Sequence, residues 1–190
     1  MYRFLALVSS PLAYGLFRLQ TQGRERLPKD GFVLSANHVS NLDPWSLGIP
    51  LFPHRWLRFM AKSELYWWPL SLVLDGAGAF KVRRGERDTE AITTAVDLVR
   101  AGEIVVMFPE GTRQRKGVRK KYAARPHSGA ARIAHLAGAP LVPAAIKGTE
   151  RLARLGRWKV AYGEPFEPGE DAQAATERLM REIDALHEQL

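Results

Sequence analysis

The run Ile104-Val105-Val106-Met107-Phe108 is apolar at every position and β-branched at three, which is the pattern of a strand buried on both faces. A sheet of such strands needs a layer on each side, and the chain supplies the pieces in alternation. Phe32 to Ala36, Leu57 to Ala61, Ala79 to Val82, Leu141 to Ile146 and Trp158 to Tyr162 read as further strands, and Thr21 to Leu27 as an edge strand. Helical segments stand between them at Pro44 to about Leu51, Asp88 to Arg100 and Ser128 to Ala137. In the second of these Ile92, Ala95, Val96 and Val99 share one face, and a final helix over Asp171 to Leu190 turns Leu179, Ile183 and Leu186 inward. Glu64 to Leu74, with Trp67 and Trp68, is apolar nearly throughout and reads as a buried or membrane-facing helical segment. The expectation is an α/β fold, a single domain whose central mixed, largely parallel sheet is flanked by helices.

Residues 1–20 stand apart from this alternation. From Phe4 to Phe17 the chain has 14 residues without a charge, bracketed by Arg3 and Arg18. A helix needs roughly 20 apolar residues to cross a bilayer, so this run is short, and Pro11 and Gly15 interrupt it. An interfacial helix, an ordinary core-packed helix and a signal peptide all remain open, although no Ala-x-Ala-like cleavage site follows. The division adopted is an interfacial helix over 1–20 and an α/β domain over 21–190.

Composition narrows the chemistry. The 190 residues include no cysteine, which excludes disulfides, thiolate nucleophiles and cysteine-ligated metal centres. The formal net charge of +8 favours anionic partners. Arg113, Arg115, Lys116, Arg119, Lys120, Lys121 and Arg125 fall within one stretch that contains no acid. A nucleic-acid module would interleave such cations with stacking aromatics; here Trp45, Trp56, Trp67 and Trp68 sit in apolar segments instead, so nucleic acid is not an expected partner.

The polar features gather where strands should end. Asn37-His38-Val39-Ser40-Asn41-Leu42-Asp43 follows the strand over Phe32 to Ala36 and leads into Pro44. An imidazole at such a turn, oriented by a carboxylate, can take a proton from a hydroxyl. Asp43-Pro44 equally suits a helix N-cap with proline in the first turn, and one carboxylate has oxygens enough for both roles. Phe108-Pro109-Glu110-Gly111-Thr112-Arg113 closes another strand: proline breaks it, glycine lets backbone approach a ligand, and Arg113 suits bidentate contact with phosphate. Lys62 and Arg84 are further cations just beyond strands, and each alone fits a solvated surface charge. Open α/β sheets place their sites at such strand ends.

Rival signatures are missing. There is no Gly-x-Ser-x-Gly elbow and no Walker loop; Gly76-Ala77-Gly78 lacks the third glycine of a dinucleotide loop, and His187-Glu188 has no second histidine for zinc. His54, His127 and His135 are isolated along the chain and read as structural or solvated. No metal and no cofactor is expected.

In order and spacing, the polar blocks resemble those of the glycerophospholipid acyltransferase family, in particular the 1-acyl-sn-glycerol-3-phosphate (lysophosphatidic acid) acyltransferases. Asn37-His38-x-Ser40-x-x-Asp43 matches the first family block in full, Gly78-Ala79-Phe80-x-Val82-x-Arg84 resembles the second, Phe108-Pro109-Glu110-Gly111-Thr112-Arg113 matches the third in full, and Val142-Pro143-Ala144 resembles the fourth. The similarity runs from about Gly23 to Gly163. The resemblance implies transfer of a fatty acyl group from acyl-CoA or acyl-carrier protein, as co-substrate, to a lysophospholipid hydroxyl at the cytoplasmic face of a membrane, preferably an anionic one. It implies His38 as general base with Asp43 as its partner, Glu110, Gly111 and Thr112 in the acceptor site, and Lys62, Arg84 and Arg113 on the acceptor phosphate. The segment Arg125-Pro126-His127-Ser128-Gly129 departs from the family, which commonly has lysine where His127 stands; acylation of another lysophospholipid or lipid-linked acceptor therefore stays open. A non-catalytic protein binding anionic membranes is the alternative from a different class.

Overall fold

The computed structural model describes residues 2–82, 89–111 and 126–190, without the side chains at 2, 3, 62 and 152–154. Its elements run α1 (Tyr2–Pro11), β1 (Gln20–Gln22), β2 (Phe32–Ala36), α2 (Asp43–Gly48), β3 (Leu57–Lys62), α3 (Leu70–Gly76), β4 (Ala79–Val82), α4 (Thr89–Arg100), β5 (Ile104–Met107), α5 (Gly129–Ala137), β6 (Leu141–Lys147), β7 (Lys159–Tyr162) and α6 (Ala172–Gln189). The strands form one sheet in the order β1-β7-β6-β2-β5-β3-β4. Only β6 and β7 pair antiparallel; every other neighbour is parallel. The expected mixed, largely parallel sheet is what the chain builds.

Side-chain alternation along the strands splits the core in two. Phe32, Leu34, Val106, Val142 and Ile146 face one layer, with Leu47 and Ile49 from the α2 region and Ala13, Phe17 and Leu19 from the N-terminal segment. Val33, Val105 and Leu141 face the other, against Ala95 and Val99 of α4, Ile133 of α5 and Leu179 and Ile183 of α6. The chain crosses the sheet one way through α2 and α3 and returns through α4 and α5, so right-handed crossovers put α3 on the α2 side. Lys81 agrees: Phe80 and Val82 belong to the α4 side, while the ammonium of Lys81 between them lies 5.8 Å from the ring centroid of Tyr66, just before α3.

The N-terminal segment is helical through α1 and a π-type turn over Leu12–Leu16. One stripe of it joins the core: Phe17 stacks on Trp158 at 4.2 Å between centroids and 7° between planes, and the Trp45 indole donates to Ser9 Oγ at 2.9 Å. Its other side leaves Phe4, Leu7, Val8 and Leu12 exposed.

Three sequence expectations are corrected. The edge strand is only Gln20–Gln22, because Gly23 turns into a left-handed conformation and Arg24–Arg26 coil into a 3-10 turn. The apolar stretch from Glu64 splits into a 3-10 turn over Ser63–Leu65 and α3, and no residue of either is buried, which overturns the buried alternative and not the membrane-facing one. Pro69 separates the two pieces, and with β4 at the sheet edge the segment has little to pack beneath. Third, Asp43 does not cap a helix: it is the first helical residue, Leu42 holds the cap position, and no side chain caps that end. The carboxylate turns back toward the preceding loop instead.

Candidate active site

Strands β2, β5 and β3 are parallel neighbours, so their C-terminal ends emerge at one edge of the sheet. Leu34, Val106 and Phe59 stand level, and three residues further along each strand the chain reaches Asn37, Pro109 and Lys62. The first and third sequence blocks are thereby brought side by side.

The loop after β2 is organised around the Asp43 carboxylate, which is fully buried. Its Oδ2 accepts the backbone N–H of Val39 at 2.7 Å and of Ser40 at 2.8 Å, and lies 2.8 Å from His38 Nδ1. Two amide donors already point at that oxygen, so it has no room for a proton, and the imidazole must be the donor in the third contact. Nδ1 therefore carries the hydrogen and Nε2 presents a lone pair. Asp43 Oδ1 is satisfied separately by the Thr149 hydroxyl at 2.6 Å. Four donors on one buried carboxylate hold it by hydrogen bonding alone, with no lysine or arginine among them.

Two further contacts fix the imidazole. Phe108 stacks on it at 4.1 Å between centroids and 18° between planes, joining the third block to the first. Behind it, the Asn37 side chain bridges to β6: its Nδ2 donates to Ile146 O at 2.9 Å and its Oδ1 accepts from Ile146 N at 2.8 Å. Ser40 closes the turn, with its O accepting from Asp43 N and its Oγ from Leu42 N. The His38 ring keeps 17% of its side chain exposed, enough to meet a substrate at the strand edge.

Beyond Phe108 the chain turns through Pro109, half-buried Glu110 and Gly111. Gly111 has φ +67°, and a Cβ there would lie 2.7 Å from both Cδ2 and Nε2 of His127. The His127 amide donates to Pro109 O at 2.9 Å. Sequence reasoning left His127 isolated; the structure lays its ring over the third-block turn, at the position where the family resemblance leads one to look for lysine. Thr149 was missed altogether. Its only sequence signal is a small hydroxyl residue three positions beyond a predicted strand, and that is common to many turns.

Arg84, Thr112 and Arg113 lie outside the described residues, as does the side chain of Lys62, although its backbone ends β3 at the site edge. Several amides near the two blocks are committed: Val39 and Ser40 to Asp43, Gly111 to Phe108 O and His127 to Pro109 O. These four serve the turn and are not open to a substrate oxygen.

A buried carboxylate and an imidazole whose Nε2 presents a lone pair, set between two adjoining turns, can take up and return a proton. Residues 18–147 match the model of the family described as Acyltransferase, a span that includes all four sequence blocks. The chain belongs to the acyltransferase family.

Named relatives of this acyltransferase agree. It is 33% identical to the 1-acyl-sn-glycerol-3-phosphate acyltransferase of Bacillus subtilis (strain 168) over 198 aligned positions, covering 100% of this chain and 95% of that protein. Against the chloroplastic 1-acyl-sn-glycerol-3-phosphate acyltransferase BAT2 of Brassica napus, identity is 28% over 82% of this chain and 45% of that one. The crystal structure of the 1-acyl-sn-glycerophosphate (LPA) acyltransferase of Thermotoga maritima superposes with a TM-score of 0.70 at 23% identity, covering 97% of this acyltransferase and 78% of that chain, so the two share a fold.

Proposed function

We propose that this acyltransferase moves a fatty acyl group from an acyl thioester, acyl-CoA or acyl-carrier protein, to the free hydroxyl of 1-acyl-sn-glycerol-3-phosphate, giving phosphatidic acid. The observation that carries the reading is the 2.8 Å contact from His38 Nδ1 to an Asp43 oxygen that already holds two amides, since it leaves Nε2 as base. The end-to-end match to the Bacillus subtilis enzyme supports the choice of acceptor.

The acceptor hydroxyl donates its proton to His38 Nε2 as its oxygen bonds to the thioester carbonyl carbon. Asp43 stabilises the imidazolium that forms. Collapse of the tetrahedral intermediate breaks the carbon–sulfur bond, and the imidazolium proton returns to the departing thiolate. A thioester is already activated, so no covalent enzyme intermediate is needed. Lys62, Arg84 and Arg113 are assigned to the acceptor phosphate, with Glu110, Gly111 and Thr112 shaping the acceptor side; Arg113→Ala should raise the KM for the acceptor and leave that for the donor. The His127 ring over Gly111 favours one second reading, an acceptor head group other than a plain phosphate monoester.

The place of work is the surface of a membrane, at its cytoplasmic face. No helix among the described residues is long and apolar enough to cross a bilayer, whereas the outer side of α1 offers apolar area and the chain a positive charge. Residues 1–20 are the proposed membrane-associating segment. Since Ala13, Phe17 and Leu19 lie in the core, deleting that segment would open the domain; Leu7→Ser with Val8→Ser is the cleaner test of its vesicle binding.

The deciding assay follows free-thiol release from acyl-CoA, and in parallel from acyl-carrier protein, with a panel of lysolipid acceptors. Thiol release that requires lysophosphatidic acid and yields phosphatidic acid supports the proposal. Release that tracks a different lysolipid replaces the acceptor, and none with any acceptor returns the protein to the membrane-binding class.

A further inference from the structure

Large apolar side chains that stay exposed among the described residues form two clusters, with Trp56, Leu136 and Leu155 as scattered single exceptions. One is the outer side of α1 and the turn after it. The other is Leu65, Trp67, Trp68, Leu72 and Val73, where Trp68 is 78% exposed. Both lie on the α2 side of the sheet, as the crossovers and the Lys81 contact with Tyr66 require. The opposite layer differs. Its helices turn Glu90, Asp97 and Arg100 of α4 and Arg181, Glu182 and Asp184 of α6 to the outside. The second cluster also leaves the sheet at the edge where the site opens, because Trp67 and Trp68 follow the C-terminal end of β3, level with Asn37 at the end of β2.

We propose that Trp67 and Trp68, with Leu72 and Val73, form a second bilayer-contacting surface, which together with α1 fixes the enzyme on the membrane with the His38 edge toward the lipid. The occupant is a lipid surface for three reasons. No charged residue occurs from Leu65 to Leu74, so nothing resists entry into the acyl boundary. Exposed adjacent tryptophans suit the headgroup level, where an amphipathic ring keeps its N–H wet and its body apolar. The patch lies on the same layer as α1, so one planar surface can meet both, whereas a protein partner of the α3 tip alone would leave α1 uncovered. The inference rests on the proposed lipid acceptor. A single helix leaves a peripheral enzyme free to roll, and a second contact removes that freedom.

The test compares wild type with Trp67→Ser/Trp68→Ser, both confirmed folded by thermal unfolding, in pelleting with vesicles of pure phosphatidylcholine and of phosphatidylcholine with phosphatidylglycerol. Partitioning is expected to fall at least about tenfold on both compositions, and the deficit should persist at high salt, which screens charge but leaves apolar burial intact. Thiol release with lysophosphatidic acid below its aggregation concentration should be unchanged in the variant. Unaltered partitioning would overturn the proposal, as would a change in oligomeric state without a change in vesicle binding, which would assign the patch to a second copy of the chain. The thiol assay on wild type separately reports the acyl-transfer reading, so the two can fail independently.

Discussion

The Thr149 hydroxyl donates to Asp43 Oδ1 at 2.6 Å, across 106 residues of sequence, and both side chains are buried. It occupies the carboxylate oxygen that faces away from His38 and so leaves Oδ2 to the imidazole and the two amides. Gly148, at φ +96°, makes the turn that delivers it; a Cβ there would come 2.1 Å from Arg157 O. Thr149→Val should remove a hydrogen bond to a buried charged group and cost about 1–3 kcal/mol in unfolding free energy, with a fall in kcat. Thr149→Ser should restore most of both. Urea unfolding and thiol release on the three proteins check this, and a stable, fully active valine variant would refute it.

His38 and Asp43 should separate by stability. His38→Ala removes the base but leaves Val39, Ser40 and Thr149 donating to the carboxylate, so acyl transfer is expected to drop on the order of a hundred- to ten-thousand-fold with a stability loss of about 1–3 kcal/mol, like that of Thr149→Val. Asp43→Ala strands those donors around a buried void and should lose activity and several kcal/mol of stability together. Similar stability losses in both variants would show that the carboxylate is not the organiser of the loop.

Asn37 tests whether the histidine turn needs its tie to β6. Asn37→Leu forfeits both bonds to Ile146 and leaves that backbone pair without partners, costing roughly 2–4 kcal/mol. The rate should fall mainly through kcat, since Asn37 holds the turn that carries His38. A rise in acceptor KM at constant kcat would contradict it.

Gly111 and His127 should behave as a coupled pair. Gly111→Ala places a methyl 2.7 Å from the imidazole at a φ of +67°, and it is expected to lower acceptor affinity several-fold. Adding His127→Ala relieves the overlap but not the backbone strain, so the double variant should recover part of the loss. Additive effects in that double-mutant cycle would mean the two positions do not share a site.

Much of the fold was legible because its signals are local. Phe32–Ala36 and Ala79–Val82 stand where the strand pattern put them, and β5 is the buried apolar run that anchored the reading. Burial on both faces forces such runs to be apolar, and crossovers force helical period between them, so the pattern is written into short windows. The Glu64–Leu74 stretch stayed open between two readings for the converse reason: apolar composition says a segment avoids water, but not what is to replace it. At the sheet edge, beyond Pro69, the domain had no interior to offer it.

At the site, sequence determined the residue types and their order: His38 and Asp43 five positions apart after a strand, Phe108 to Gly111 closing another, and cations nearby. What it left undecided was the sense of Asp43, which suited a helix cap as well as a histidine partner. Tertiary structure decided that, because parallel pairing of β2 with β5 and β6 delivers Phe108 to one side of the imidazole and Thr149 to the far oxygen of the carboxylate. Local windows encode what one segment prefers. The direction in which a buried carboxylate turns depends on donors that only a completed sheet brings within reach.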